Sequence, residues 1–116
     1  ETLEALGEDA SPLDTLAALL PLDDVSRTAT EVWMAFLSRA VVDPSVREAG
    51  AAANDEVEQV CREVVRQLAP KSDVDLETAR LHALFDGLAL QAVTDPTRLP
   101  EDRVRAVLGQ HLSSLR

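Results

Sequence analysis

The segment LHALFDGLALQAVTDP, residues 81–96, is the feature that most constrains how this chain can fold. It has the period of a helix, yet apolar residues occur almost all round the helix predicted over 76–95. Gly87 lies near its middle, where glycine costs about 1 kcal/mol of helix stability relative to alanine. A helix of this composition must be covered on two sides, so the fold has to supply a neighbour for each.

The apolar residues of this helix separate into two faces at about 100° per residue. The first is bulky and typical of a core, and it contains Leu81, Leu84, Phe85, Leu88 and Ala92. The second contains Leu76, Ala79, Ala83, Gly87 and Leu90. Its small residues permit a close helix crossing. The covering helix can belong to the same chain or to a second subunit, and periodicity does not decide between them.

Helical patterns extend along the rest of the chain, and no run of residues alternates as a strand would. Helices are predicted over residues 12–20, 24–43, 44–69, 76–95 and 100–115. Ser11, Asp24, Asp43 and Asp75 are the expected N-caps, with Pro12 and Pro44 as first helical residues. Gly50 is expected to kink the long helix near its start. The prediction is one all-α domain over 1–116, an antiparallel bundle of about five helices.

The predicted helix over 24–43 has a ladder of apolar residues at helical spacing. The ladder consists of Val25, Ala29, Val32, Trp33, Phe36, Leu37, Ala40 and Val41. The last helix has a similar stripe, made of Val104, Val107, Leu108, His111, Leu112 and Leu115. Each stripe is expected to face a neighbouring helix.

Charge and composition exclude several classes of protein. The formal net charge is −10, which argues against direct contact of this segment with DNA or RNA. No apolar run approaches the roughly 18 residues of a membrane span, and the single cysteine fits a cytoplasmic protein. No nucleophile motif, glycine-rich loop or metal-ligand spacing is present, so neither catalysis nor a metal or other cofactor is expected.

Two segments, VWMAFLSRAVVDP (32–44) and LFDGLALQAVTDP (84–96), followed by a final amphipathic helix, resemble the C-terminal domain of TetR-family transcriptional regulators, in particular the BetI-like branch. The resemblance implies a domain that forms a homodimer and encloses a small effector. It places the dimer interface on the last two helices, at Ala79, Ala83, Gly87, Leu90, Val104, Leu108, His111, Leu112 and Leu115. The resemblance thus implies that the helix predicted over 76–95 is covered by the core on one side and by the partner subunit on the other.

The family's N-terminal helix-turn-helix is not expected within this chain. Its first residues, ETLEALGEDASP, resemble the tail of a helix that runs into a loop. Contact with DNA is therefore expected only through that missing domain.

The chain's three aromatic residues, Trp33, Phe36 and Phe85, either fill the core or line an apolar cavity between the second, third and fourth predicted helices. The candidate effector-binding residues are Trp33, Phe36, Leu37, Ala40, Cys61, Val64, Leu81 and Phe85. Cys61 also fits the role of a small buried apolar residue.

His82 and Asp86 are one helical turn apart on a polar strip, where they can form an ion pair, bind a polar ligand group or lie at the dimer interface. Two functions stay open. The chain is the sensor of a small, mainly apolar effector, or it is a helical interaction module without a ligand.

Overall fold

The computed structural model describes residues 11–116, and this range forms six helices and no strand. They are α1 (Pro12–Ala17), α2 (Asp24–Ala40), α3 (Pro44–Ala49), α4 (Ala51–Leu68), α5 (Val74–Thr94) and α6 (Glu101–Ser114). The predicted all-α fold is confirmed, with six helices in place of about five. The helix tail predicted at the start of the chain lies outside the described residues.

The helix starts follow the chemistry of capping, with two shifts from the predicted residues. Ser11 caps α1 by accepting the backbone N–H of Asp14 at 3.0 Å, as expected. The prediction that Asp24 and Asp75 are caps is wrong: Asp23 caps α2 and Asp73 caps α5. A capping carboxylate must lie just outside the helix. Asp24 and Asp75 lie in the first turns of α2 and α5 instead, where their negative charges interact favourably with the helix dipole.

Gly50 divides the long helix predicted over 44–69 into α3 and α4. Its backbone N–H lies 3.3 Å from the carbonyl oxygen of Val46 and 3.2 Å from that of Arg47. This sharing between two acceptors tightens the turn locally, as at many helix ends. Where the sequence predicted a kink within one helix, the structure therefore has a boundary between two helices.

Helix α5 is the centre of the fold and packs against α4, α2 and α6. Its inner side buries Thr78, Leu81, Phe85, Leu88, Ala89 and Ala92. Facing side chains come from the other helices and their connections: Leu16, Leu20, Cys61, Val64, Val65, Leu99, Val104, Leu108 and Leu112. The bulky face of α5 thus packs into a single core, and α1 closes this core against α4 and α6.

Helix α2 lies at the edge of this core. Ala40 is its one buried residue, while Met34 is partly buried against the core. Val25 is 82% exposed and Val32 is 66% exposed. Only part of the ladder predicted for this helix is therefore covered within the subunit.

None of the helices described here combines the length and the apolarity that a membrane span requires.

Candidate ligand cleft and helix face

A cleft of about 270 Å³ opens between α2 and the α3–α4 boundary. Its lining is Trp33, Phe36, Leu37, Ala40, Arg47, Gly50, Ala51, Asn54 and Asp86. The first four are residues that the sequence predicted as effector-binding, and the structure places them together. The mixed lining, mostly apolar with a few polar groups, is typical of a site for a small organic molecule, and the volume lies just below the roughly 300–1,000 Å³ of most such sites.

The wall of the cleft is a stacked pair of aromatic rings. The centroids of Trp33 and Phe36 are 5.3 Å apart and their planes differ by 18°. The pair lies against the backbone of Gly50: an added Cβ there would be 2.5 Å from Cε2 of Phe36 and 3.3 Å from Cη2 of Trp33. The absent side chain at residue 50 therefore lets both rings approach the α3–α4 boundary.

Arg47 and Asp86 give the cleft its charged groups. Arg47 Nε donates to the carbonyl oxygen of Ala40 at 3.1 Å, and its Nη2 donates to that of Val41 at 3.2 Å. The guanidinium thus closes the C-terminal end of α2, where carbonyl groups lack helical partners.

The Asp86 carboxylate comes from α5 and lies beside His82, with Oδ2 3.5 Å from Nε2. Partial burial raises the pKa of the Asp86 carboxyl, and the His82 imidazole acts in the opposite direction. His82 and Asp86, for which the sequence allowed several roles, are therefore neighbours, and Asp86 reaches the cleft.

The other four residues predicted as effector-binding lie in the core and not in the cleft lining. Cys61, Val64 and Leu81 have no exposed surface, and Phe85 is 5% exposed. Burial raises the pKa of the Cys61 thiol to about 12, with further contributions from the charges of Asp86 and Glu58. Cys61 therefore behaves as a small apolar side chain whose thiol stays protonated.

Four lining residues were missing from the sequence prediction, namely Arg47, Gly50, Ala51 and Asn54. They recur at helical spacing, so they form one face that crosses the α3–α4 boundary. A search for apolar stripes overlooks this face because its members are small or polar. The sequence signal that could have identified this face is the occurrence of two polar residues, Arg47 and Asn54, at helical spacing with Gly50 and Ala51.

The small-residue face of α5 is open to solvent in the single subunit. Leu76 is 56% exposed and Leu90 is 46% exposed, with Ala79 and Ala83 exposed between them. A Cβ added to Gly87 would meet no atom within 4 Å in the described chain. This face, defined here as Leu76, Ala79, Ala83, Gly87 and Leu90, is called the outer face of α5; it lies opposite the core-facing side of the helix.

The stripe predicted as interface on α6 lies mostly inside the subunit. Val104, Leu108 and Leu112 are 1%, 0% and 5% exposed, and Leu115 packs partly against the same core. His111 is partly buried, and its Nε2 has no hydrogen-bond partner among the described residues. The residues that α6 presents outward are Arg103, Ala106, Val107 and Gln110, all exposed.

Across residues 11–116, no group of three or more His, Cys, Asp or Glu side chains is placed to hold a metal ion.

A family model described as "BetI-type transcriptional repressor, C-terminal" matches residues 13–116. The HTH-type transcriptional regulator PksA of Bacillus subtilis (strain 168) is 32% identical to the chain over 109 residues. The match covers 89% of this chain and 52% of that relative, so the chain spans about half of its relative's length. No solved structure matches the chain significantly.

Proposed function

The chain belongs to the TetR family of transcriptional regulators, as a C-terminal domain of the BetI type, and we propose that it is the effector-sensing and dimerisation part of such a regulator. DNA would be bound by a helix-turn-helix domain, as the name of the Bacillus relative suggests for that protein. The net charge of −10 supports the assignment of DNA binding to a separate domain, because this domain itself repels phosphate groups. A protein that regulates transcription in this way would act in the cytoplasm.

The observation that carries the proposed sensing role is the aromatic cleft. The stacked rings of Trp33 and Phe36 form an apolar wall beside an opening of about 270 Å³. A small, mainly apolar effector would bury part of its surface against this wall, at about 25 cal/mol for each Å² removed from water.

The proposed homodimer rests on the outer face of α5. A row of exposed apolar side chains beside small residues, on a central helix of the fold, is suited to the close approach of another helix. Outward residues of α6, with Val107 37% exposed, would extend this surface. A second subunit would then cover the face that the core leaves open.

The sensing role is tested with Trp33, which is the only tryptophan in the chain and lies in the cleft wall. We expect at least one compound in a broad panel of apolar amphiphiles to change its emission with saturable, micromolar binding.

A matched pair of variants locates the binding. Ala51→Leu fills the cleft and should abolish the response, while Ala52→Leu, one residue further along the same helix and outside the lining, should keep it. If no compound changes the emission, the alternative function is favoured, an interaction module without a ligand.

A further inference from the structure

The imidazole of His82 has a ring nitrogen that is shielded from solvent and makes no hydrogen bond. Its Nε2 is buried and has no hydrogen-bond partner among the described residues. Oδ2 of Asp86, one helical turn further along α5, lies 3.5 Å away, which is longer than a hydrogen bond. The His82 side chain is 16% exposed and that of Asp86 is 60% exposed. The pair thus joins a mostly buried ring to a residue of the cleft lining.

Protonation changes what this nitrogen requires. In a neutral imidazole one nitrogen donates and the other accepts, whereas both nitrogens donate once the ring is charged. A donor shielded from water is costly without an acceptor, and the neighbouring acceptor is the carboxylate of Asp86. Charge-assisted hydrogen bonds are shorter than the present separation, so ring and carboxylate would approach each other by about 0.6–0.8 Å.

The charged groups that α4 contributes beside this pair are already engaged. Nη2 of Arg62 lies 3.3 Å from Oε2 of Glu58, and the same guanidinium bonds Asp75 at the start of α5. The Cys61 thiol stays protonated, because burial raises its pKa to about 12. The Glu58 carboxylate is therefore compensated by Arg62, and Asp86 is the acceptor left for a protonated His82.

The other lining residues of the cleft do not change their charge near neutral pH. Arg47 keeps its positive charge, and its N–H groups that are not bonded to Ala40 and Val41 remain donors beside the Asn54 amide. The lining residues from α2 have no titratable group. On α6, Arg105 bonds Glu101 and Asp14, while the side chains of Asp102 and Arg103 are exposed.

We propose that the His82–Asp86 pair is a proton-controlled contact that sets the charge of the cleft. When His82 is protonated, the Asp86 carboxylate is paired and drawn toward the ring. When His82 is neutral, the same carboxylate carries an uncompensated negative charge at the cleft. Histidine is the side chain whose charge ordinarily changes between pH 5 and pH 8, so this change falls near neutral pH.

The consequence for regulation rests on the proposed sensing function. An effector that contacts Asp86 would compete with the protonated His82 ring for the carboxylate. The apparent affinity of the cleft for such an effector would therefore depend on pH as well as on the effector itself.

The test follows the emission of Trp33 between pH 5 and pH 8 with no ligand present. Its indole does not titrate in this range and lines the same cleft as Asp86, so a change of charge there alters the emission. We expect a sigmoidal change with a single midpoint. The change should be lost in His82→Gln, which removes the ring that binds the proton, and in Asp86→Asn, which removes the carboxylate that responds.

Each of these variants has a matched control. His111→Gln removes the other of the two histidines in the chain and should retain the emission change. Asp55→Asn makes the same change of net charge as Asp86→Asn, at an exposed position of α4 outside the cleft lining, and should also retain it. Helical circular dichroism at both ends of the pH range checks that every variant stays folded.

Constant emission of the unmodified chain over this range overturns the proposal without any variant. A change that survives His82→Gln, or that is lost in either control, assigns the transition to another group and overturns it as well. A change that is lost in His82→Gln and retained in Asp86→Asn overturns the role of Asp86. Because no effector is added, failure of the amphiphile panel and failure of this pH response are separate results.

Discussion

Gly50 and Phe36 approach each other so closely that no side chain at residue 50 is compatible with the present position of the ring, since an ideal Cβ would lie 2.5 Å from Cε2. We predict that Gly50→Ala shifts Phe36 and disturbs its stack with Trp33. The backbone at Gly50 has φ −90° and ψ −4°, which alanine adopts readily, so the effect comes from steric overlap.

The expected cost of Gly50→Ala is about 1–2 kcal/mol in the free energy of unfolding, because overpacking outweighs the gain in helix propensity. Urea unfolding and the Trp33 emission spectrum of the folded chain measure the two effects. Gly109→Ala is the control: its Cβ would meet Leu13 Cδ2 at an ordinary 3.7 Å, so it should leave Trp33 unchanged. An equally stable Gly50→Ala variant with the spectrum of the parent would show that the cleft wall adapts freely.

A second prediction concerns the outer face of α5. Gly87→Leu should leave the subunit folded, because nothing lies within 4 Å of the added Cβ, and should prevent the proposed close crossing with a partner helix. Sedimentation at micromolar concentration should give a dimer for the parent chain and a monomer for the variant, with the same helical circular dichroism.

The control variant is Gln67→Leu, which adds a leucine at an exposed position of α4, outside the outer face of α5. It should remain dimeric. A Gly87→Leu variant that dimerises as well as the parent would locate the interface elsewhere.

The Cys61 thiol provides a third prediction. Its pKa of about 12 in the folded chain exceeds the ordinary value of 9.0. A raised pKa means that this group favours folding fully below pH 9.0 and that its contribution is lost as the pH rises toward 12. Stability should therefore decline over this alkaline range, and less steeply in Cys61→Ala. In addition, Ellman's reagent should modify the thiol at pH 8 only when urea unfolds the chain. Rapid labelling of the native chain would contradict the burial of this residue.

The capping aspartates provide a fourth prediction, at acidic pH. Hydrogen bonds from the hydroxyl and N–H of Ser45 lower the pKa of Asp43, and those of Ser26 lower the pKa of Asp23, in each case from 3.8. A lowered pKa means that the contribution is present above pH 3.8 and is lost as the pH falls through the folded values.

Asparagine caps helices without titrating in this range. The double variant Asp23→Asn, Asp43→Asn should therefore lose less thermal stability than the parent between pH 4 and pH 2. Parallel melting curves of the two chains across this interval would show that these caps do not titrate.

The helix starts could be read from the sequence because local chemistry determines them. Ser11 with Pro12 and Asp43 with Pro44 begin helices as predicted. The shifts to Asp23 and Asp73 show the limit of that reading, since two nearby aspartates satisfy the same rule and only the backbone decides which one lies outside the helix.

The direction of apolar stripes was less predictable than their existence. Val32 and Val104 both occur at core-like spacing, yet Val32 is 66% exposed and Val104 is 1% exposed. Periodicity identifies a face of a helix but not the element that covers it, because this depends on contacts between distant parts of the chain. For the same reason, the sequence grouped Cys61, Val64, Leu81 and Phe85 with the cleft, although they lie in the core and outside the cleft lining.

Asp86 and Gly87 are consecutive residues on one helix, and this adjacency links the two proposed sites. The first reaches the cleft and the second lies on the outer face of α5. If an effector changes dimer affinity by some factor, thermodynamic reciprocity requires that dimerisation change effector affinity by the same factor. The sensitivity of such a regulator to its effector would then depend on how much of the regulator the cell contains.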